Sequence, residues 1–100
     1  MKSKFSEKCY FLLRKVPKGR VTTYKVLAGA LKTKAYRAVG NAMKNNPYFP
    51  KVPCHRVVNS NGKVGDYNLG VKRKIEMLRK EGILIKNNKI DLDKYLYKFK

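Results

Sequence analysis

The most restrictive feature of this sequence is a proline-rich segment near its middle. Residues 46–53 contain three of the four prolines in the 100-residue chain, and Cys54 and His55 follow directly. Proline has no backbone N–H and its ring collides with the preceding helical turn, so a regular helix cannot run through this segment. We therefore expect an ordered loop, covering about residues 46–58, between a helical first half and a mixed second half.

One helix is predicted before a turn at residues 17–20. Over residues 3–16, apolar side chains recur at the spacing of one helical face. They are Phe5, Cys9, Leu12, Leu13 and Val16. Ser3 is a suitable cap for this helix, and Pro17 ends it. On this pattern Cys9 belongs to the core and has no chemical role.

Two shorter helices over about residues 23–45 form a predicted helix-turn-helix. Thr22 or Thr23 caps the first of them, and its apolar face comprises Tyr24, Leu27, Ala28 and Leu31. A polar break at residues 32–34 leads to the second, over about residues 35–45, whose inner face comprises Ala35, Ala38, Val39 and Ala42. The polar side chains that then point away from the core are Arg37, Asn41 and Lys44. This arrangement is typical of a motif that presents its second helix to DNA.

The second half of the chain combines a short strand, a fourth helix and a β-hairpin. Val57 and Val58 suit a strand, and the glycines of the next stretch allow unusual backbone angles. Residues 71–81 are predicted to be helical, ending at Gly82, with a core face of Val71, Ile75 and Leu78. Residues 83–92 alternate around an Asn-Asn turn and predict a hairpin. Residues 93–100 either pack as a last helical turn or trail as a basic arm.

The net charge of the chain indicates what kind of partner it binds. The chain has 25 Lys and Arg against 6 Asp and Glu, a formal net charge of +19. Such a surface attracts polyanions, so we expect a nucleic acid partner. The sequence contains no apolar run of the length that a membrane span needs, which argues against a membrane partner. No signal peptide is recognisable, so we expect a cytoplasmic protein with free thiols, associated with the nucleoid in a prokaryote.

Cys54 is adjacent to His55, which is the only histidine of the chain. A thiol attacks as its thiolate, and a neighbouring imidazole or a positive field favours that form. Glu81 falls in the last turn of the predicted fourth helix, where the helix dipole disfavours an anion, so it is either exposed or paired with a partner such as histidine. These residues indicate a reactive cysteine, and the alternative is a buried Cys54 beside a surface histidine. One histidine and two cysteines make no zinc site, and we expect no cofactor.

Several motifs in register resemble one protein family. Pro53-Cys54-His55-Arg56-Val57-Val58 matches the active-site motif of the O6-alkylguanine-DNA alkyltransferases, the suicide DNA-repair proteins. The further matches are Val21-Thr22-Thr23-Tyr24, Arg37-Ala38-Val39-Gly40, Asn46-Pro47, Gly65-Asp66-Tyr67 and Glu81. The resemblance runs from about Phe5 to Gly82 and is to the catalytic, C-terminal domain of that family.

The resemblance implies repair by direct damage reversal. The alkyl group, such as methyl, would pass from O6 of guanine to Cys54, once per molecule and without a cofactor. His55 would take the thiol proton through a water, and Glu81 would hold the imidazole in the right tautomer. Asn46 would order the loop around the site. The implied catalytic set is therefore Cys54, His55, Glu81 and Asn46.

The resemblance also implies a substrate pocket and a DNA-binding surface. The pocket residues are Tyr67, Asn68, Val57 and Tyr24, and the DNA-binding residues are Tyr24, Arg37, Ala38 and Asn41. The O6 atom is inaccessible inside a duplex, so the nucleotide must be flipped out. Tyr24 would crowd the phosphate of that nucleotide, and Arg37 would fill its place in the stack. The family places this helix in the minor groove of double-stranded DNA.

The sequence departs from the family pattern in three respects. It begins directly at the catalytic domain, so we expect the family's N-terminal domain to be absent. Asn68-Leu69 stands where the family usually has a small pair such as Ser-Gly, and we hypothesise that Leu69 narrows the pocket and disfavours bulky groups such as benzyl. The break between the two DNA-binding helices is also shorter than usual.

We expect an α+β fold, mostly helical, with one small domain over residues 1–100 that acts as a monomer on double-stranded DNA containing O6-alkylguanine. Two other functions stay open. An alkyltransferase-like protein would recognise alkylated DNA without chemistry, but such relatives commonly have tryptophan in place of Cys54. A basic helix-turn-helix regulator usually dimerises, and it would leave the set of Cys54, His55 and Glu81 unexplained.

Overall fold

The computed structural model describes residues 4–65, 67 and 69–99. Five α-helices and four very short strands occur within this described part of the chain. In chain order they are α1 (Lys4–Leu13), β1 (Thr22–Thr23), α2 (Tyr24–Ala30), α3 (Tyr36–Lys44), β2 (Val57–Val58), α4 (Val71–Lys80), β3 (Ile85–Lys86), β4 (Lys89–Ile90) and α5 (Leu92–Tyr95). A single 3₁₀ turn, Cys54–Arg56, precedes β2. The expected fold, mostly helical with few strands, is confirmed.

Helix α1 ends earlier than its apolar pattern predicted. The amide N–H groups of Lys15 and Val16 donate to carbonyls three residues back, so the helix tightens into a turn before Pro17 is reached. Val16 is nevertheless fully buried, as the pattern predicted, because the turn directs it into the same core. Cys9 is also fully buried, so its assignment to the core is confirmed.

Helices α2 and α3 pack against each other and against α1. Thr23 caps α2, since its Oγ1 accepts a hydrogen bond of 3.0 Å from Val26 N–H. The inner face of α3 was predicted one turn too early. Ala35 is exposed and precedes the helix, whereas Met43 is buried and takes its place in the core beside Val39.

The one strand pairing that no local pattern predicted joins the two halves of the chain. Strand β1 pairs in parallel with β2, with Thr22 opposite Val57 and Thr23 opposite Val58. Each strand has only two residues, and the parallel register sets Val58, the last residue of β2, beside Thr23, the residue that precedes α2.

Helix α4 ends in a Schellman motif. Gly82 has a φ of +91°, its N–H donates to Arg79 O, and Ile83 N–H donates to Leu78 O. The hairpin follows, with Ile85 opposite Ile90 and with positive φ angles at both turn residues, Asn87 and Asn88. These angles are those of a type I′ turn, whose twist matches that of the strands. The end of α4 and the hairpin are therefore confirmed.

The C-terminal segment packs against the body of the protein. Val21 N–H donates to Tyr95 O at 2.9 Å, and Tyr97 N–H donates to Val21 O at 2.7 Å. The rings of Tyr97 and Phe99 meet edge to face and pack on the core formed by α1, α2 and α3. The alternative of a trailing basic arm is wrong for the described residues up to 99. None of the helices described is both long and apolar enough to cross a bilayer.

Candidate active site

Cys54 begins the 3₁₀ turn that follows the proline-rich loop. Its N–H donates to Val52 O at 2.9 Å, and Arg56 N–H donates to Pro53 O at the same distance. These bonds close a tight turn that directs successive side chains to different sides. Cys54 is 5% exposed and borders an open cavity of about 740 Å³, whereas His55 is turned into the protein.

Tyr67 is a polar neighbour of the Cys54 thiol. The Sγ atom of Cys54 lies 3.9 Å from the Tyr67 hydroxyl oxygen, within the range of a thiol hydrogen bond. Burial raises the pKa of Tyr67 far above its ordinary value, and the neighbouring Cys54 raises it further. The phenol therefore stays protonated at any physiological pH and is a hydrogen-bond donor at the cavity wall.

Glu81 is not exposed but binds His55 from the end of α4. The distance from His55 Nε2 to Glu81 Oε2 is 2.9 Å. An ionised carboxylate only accepts hydrogen bonds, so Nε2 carries the proton and Nδ1 of the neutral ring is the free base position. Nδ1 is buried and has no hydrogen-bond partner among the described residues. The ring edge of Phe49 packs against the imidazole at a centroid distance of 5.8 Å.

Arg56 completes this ion pair. Its Nε donates to Glu81 Oε1 at 2.9 Å, one terminal nitrogen donates to Oε2 at 2.7 Å, and the other donates to Val16 O at 3.0 Å. Burial raises the pKa of the Glu81 carboxyl, but the hydrogen bonds from Arg56 and His55 outweigh this, so the pKa lies below its ordinary value. Glu81 is therefore ionised at neutral pH.

His55 is a neutral base in this environment. Burial is the largest influence and lowers the pKa of His55; the hydrogen bond and charge of Glu81 raise it, while the charges of Arg56 and Lys74 lower it. The net pKa lies below the ordinary value of 6.5. At neutral pH the ring can accept a proton at Nδ1.

The cavity brings together residues that lie far apart in the chain. Four of the lining residues were predicted from the sequence to belong to the site. They are Cys54, Tyr67, Tyr24 and Arg37. The other lining residues are Tyr36, Gly40, Met43, Lys44, Asn59 and Gly65. Gly65 has a φ of +80°, and a Cβ there would lie 2.9 Å from the Asn59 side-chain oxygen, so only glycine allows this close approach. The lining of the cavity thus includes three tyrosine rings and two cationic side chains, Arg37 and Lys44.

Besides His55 and Glu81, four predicted site residues that the structure describes lie outside the cavity lining. Asn46 Nδ2 donates to Val52 O at 2.7 Å and its Oδ1 accepts from Tyr48 N–H at 2.9 Å, so Asn46 braces the proline-rich loop. The side chain of Val57 is fully buried in β2. Ala38 is half-buried on α3, and Asn41 is exposed there. Asn68 lies outside the described residues.

Leu69 is 53% exposed and is not part of the cavity lining. The hypothesis that this side chain narrows the pocket therefore finds no support in the structure. Next to it, Gly70 has a φ of +96° and donates its N–H to Tyr67 O.

Sequence reasoning missed three residues of this region. Arg56 lies inside the quoted active-site motif but received no role, although it directly follows the histidine. Tyr36 is an exposed aromatic residue directly before Arg37, which was itself predicted to contact DNA. Lys74 is fully buried, and its position one helical turn from Val71 and from Leu78 on the core face of α4 would have indicated this.

Cys9 contrasts with Cys54. It lies in the core of α1, and burial raises the pKa of its thiol to about 11. A thiol of this kind is inert at neutral pH. Among the residues described, no three His, Cys, Asp or Glu side chains lie close enough together to hold a metal ion.

Comparison with known proteins places these residues in a family. The family model for the DNA binding domain of 6-O-methylguanine DNA methyltransferase matches residues 4–83. The bifunctional methyltransferase/endonuclease of Picrophilus torridus is 45% identical over 89 residues, 88% of this chain and 30% of that protein. A methylated-DNA–protein-cysteine methyltransferase of Thermococcus gammatolerans is 50% identical over 80 residues, 79% of this chain and 45% of that protein. The chain thus spans less than half the length of these two curated relatives.

A solved structure with a similar fold is that of S. pombe Atl1 in complex with damaged DNA containing O6-carboxymethylguanine. Its TM-score is 0.85 at 30% sequence identity, over 99% of this chain and 100% of that one. The family model covers four fifths of the chain, including the cavity residues and the His55–Glu81–Arg56 group. The chain therefore belongs to the family of the DNA-binding domain of 6-O-methylguanine DNA methyltransferase.

Proposed function

We propose that this protein repairs O6-alkylguanine in duplex DNA by moving the alkyl group irreversibly to Cys54. The observation that carries the proposal is the position of the Cys54 thiol. It borders a cavity beside a donor, Tyr67, and is followed in the chain by a neutral His55 that is held by Glu81. Nucleophile, base, orienting carboxylate and hydrogen-bond donor are thus present within one site.

The proposed chemistry is a single displacement. His55 removes the thiol proton at Nδ1, through a bridging water. The sulfur then attacks the alkyl carbon, the S–C bond forms as the C–O6 bond breaks, and the electron pair of that bond stays on the guanine. The guanine, whose developing charge the Tyr67 hydroxyl stabilises, takes up a proton from solvent, and His55 returns the thiol proton to solvent. The products are guanine and a thioether at Cys54. Atoms and electrons balance in this reaction without a cofactor.

Tyr24, Arg37 and α3 supply the proposed DNA-binding surface. Arg37 is exposed on α3 and borders the same cavity as Cys54, which suits a side chain that fills the stack when the target nucleotide enters the cavity. Tyr24, at the start of α2, stands at the cavity wall, where it would crowd the neighbouring phosphate. Ala38 and Asn41 lie on the same helix and would face the minor groove. The complex of Atl1 with damaged DNA supports the binding of damaged DNA by a protein of this fold.

The proposed unit of activity is one domain, residues 1–100, acting as a monomer inside the cell. Its helix-turn-helix comprises α2 and α3, and its active-site loop covers residues 46–58. Asn46 contributes by bracing that loop, and Val57 and Asn68 would complete the pocket around the base.

The decisive experiment measures intact protein mass after reaction with excess duplex that carries one O6-methylguanine. We expect a single gain of about 14 Da, mapped to the peptide that contains Cys54. Cys54→Ala should abolish the gain yet still bind the alkylated duplex. Cys9→Ala is the matched control, because it removes the other thiol and should leave the transfer intact.

A second candidate function is recognition of alkylated DNA without chemistry, and the match to Atl1 over its whole length favours it. Absence of any mass gain, with the alkylated duplex still bound in preference to the unmodified one, would establish this function instead. Absence of both transfer and lesion preference would leave a basic DNA-binding domain, and a preference for one DNA sequence would indicate a regulator.

Arg37 provides a test of base flipping. Arg37→Ala should slow repair in duplex DNA far more than it slows the reaction with the free base O6-methylguanine, because only the duplex must open. The matched control is Lys44→Ala, which removes another cation of the same cavity lining. Equal losses on duplex and free base would contradict the placement of Arg37 in the stack.

A further inference from the structure

Lys74 is buried in a way that lysine rarely is. Its side chain is fully inaccessible to solvent, whereas its neighbours Lys72 and Arg73 on α4 are exposed. No other lysine or arginine of the described residues is buried. Withdrawing an ammonium group from water costs several kcal/mol unless its surroundings compensate. Such a residue therefore calls for an explanation in terms of what its charge contacts.

The ammonium group lies against the candidate active site. Lys74 Nζ is 5.9 Å from the centroid of the Tyr67 ring, a distance at which the ring face attracts a cation. The hydroxyl of the same ring lies 3.9 Å from Cys54 Sγ. Lys74 and the thiol are therefore connected through one rigid aromatic side chain.

Helix α4 contacts the turn Cys54–Arg56 directly. It reaches the site at two points, since Glu81 binds His55 from the end of the helix and Lys74 contacts Tyr67 two turns earlier. Two turns separate these residues by about 10 Å along the axis. The two attachments fix the imidazole and the phenol relative to each other.

We propose that Lys74 is a positioning residue of this site, whose buried ammonium group fixes the Tyr67 ring beside Cys54. The consequence for alkyl transfer rests on the function proposed above. The effect on the reactivity of the Cys54 thiol does not rest on that function, because the rate of reaction with any electrophile that reaches Cys54 measures it.

The electrostatic part of this role follows from the groups around His55. The charged groups that act on the imidazole are Glu81, Arg56 and Lys74. Burial has the largest influence and lowers the pKa of His55. Glu81 raises this pKa, and the two cations, Arg56 and Lys74, lower it. Loss of the Lys74 charge therefore raises the pKa of His55. The ring then becomes protonated at a higher pH, at which it can no longer accept the thiol proton.

The test compares Lys74→Met with Lys72→Met. Both variants lose one positive charge from α4, but only the first loses a buried one. The rate of Cys54 alkylation by iodoacetamide is measured against pH and read from the mass of the Cys54 peptide. Because the chain has one histidine, the titration of the His55 ring proton by NMR gives the second readout.

For Lys74→Met we expect the His55 titration, and with it the acid limb of the alkylation profile, to move to higher pH, because one of the two cations that lower the pKa of the ring is lost. Alkylation near neutral pH should be several-fold slower than in Lys72→Met, because the Tyr67 ring is no longer fixed beside the thiol, and Lys72→Met should match the unmodified protein. Lys74→Arg, which keeps the charge, should retain the original His55 titration. If Lys74→Met does not fold by circular dichroism, Lys74→Gln removes the same charge with a polar side chain and carries the same expectation.

Coincident His55 titrations and alkylation profiles in the Lys74 and Lys72 variants would overturn the proposal. A shift in Lys74→Arg equal to that in the neutral variants would overturn it as well, because the charge would then not be responsible. If the unmodified protein transfers no methyl group but these shifts occur, the proposed function fails and the role of Lys74 stands.

Discussion

The His55 imidazole and the Glu81 carboxylate are held in place by Arg56, a side chain to which the sequence pattern assigned no role. The guanidinium group donates two hydrogen bonds to the carboxylate and one to Val16 O. The side chains of Arg56 and Glu81 are 15% and 11% exposed. A largely buried carboxylate without its cation is costly, so the orientation of His55 depends on this pair.

At this scale we predict that Arg56→Met lowers the free energy of unfolding by about 3 kcal/mol, because it leaves the Glu81 carboxylate without its cation. Urea denaturation measures the loss as a lower midpoint at an unchanged slope. Lys80→Met is the control, since Lys80 is exposed and adjacent to Glu81, and it should change stability little. Equal effects of the two substitutions would show that the pair contributes nothing.

Glu81 and His55 also set the dependence of stability on pH. The pKa of Glu81 is lower in the folded protein than its ordinary value of 4.5, so its stabilising contribution is complete above that pH and is lost as the pH falls below it. The pKa of His55 is also lowered, from 6.5, so the unfolded chain takes up this proton first and stability begins to fall below that pH.

We therefore predict that Glu81→Gln lowers the melting temperature most at neutral pH, and that the gap to the unmodified protein narrows below about pH 4.5. The neutral amide mimics the protonated carboxyl, which is the form that the unmodified protein approaches in acid. Thermal unfolding by circular dichroism across this range measures the gap. A gap that stays constant with pH would mean that the carboxylate charge is not what stabilises the fold.

At the scale of elements, β1 combines one threonine that caps a helix with one that does not. Thr23 Oγ1 accepts a hydrogen bond from Val26 N–H at the start of α2. Thr22 Oγ1 is buried and has no hydrogen-bond partner within the described part of the chain. The two residues are equally buried neighbours, so they form a matched pair.

We predict that Thr23→Val destabilises the protein by about 1 kcal/mol through loss of the cap. Thr22→Val should be neutral or stabilising, because it replaces an unsatisfied buried hydroxyl with a methyl group of the same shape. Denaturant midpoints of the two variants measure the difference. A Thr22→Val variant that is as destabilised as Thr23→Val would reveal a hydrogen bond of Thr22 in solution.

At the scale of the whole molecule, a net charge of +19 is distributed over a chain of 100 residues. The charges of Arg37 and Lys44 border the cavity, and the remaining basic residues that are exposed add an attraction for phosphates that does not depend on sequence. On the proposed function, the charge would serve encounter with DNA, and recognition of the lesion would be left to the neutral, aromatic wall of the cavity.

We predict that the affinity for duplex DNA falls about a hundredfold between 50 and 200 mM salt, as expected if about four phosphates are neutralised. The ratio of affinities for alkylated and unmodified duplex should change much less, because the contacts of the flipped base are not ionic. Fluorescence anisotropy titrations on both duplexes measure the two quantities. An affinity that is insensitive to salt would contradict the proposed role of the charge.

The periodic and local features of this fold were predictable from the sequence. Helical spacing predicted α1 to α4, the Asn-Asn turn predicted the hairpin, and the prolines predicted the loop before Cys54. Glycine at Gly82 predicted the end of α4, because only a residue that accepts a positive φ fits there. These features depend on residues within a few positions of each other, which a sequence displays directly.

The sequence by itself therefore determined which groups are available for chemistry, a thiol, an imidazole and a carboxylate, and which segments are helical. The family resemblance had already implied the pairing of Glu81 with His55, but only the tertiary structure decided which other groups meet at the site. Arg56 reaches Glu81 across 25 positions and Val16 across 40, and β1 joins β2 across the proline-rich loop. The burial of Lys74 beside Tyr67 is likewise a property of packing. Contacts of this kind arise from the closure of the chain on itself, for which no local periodicity carries a signal.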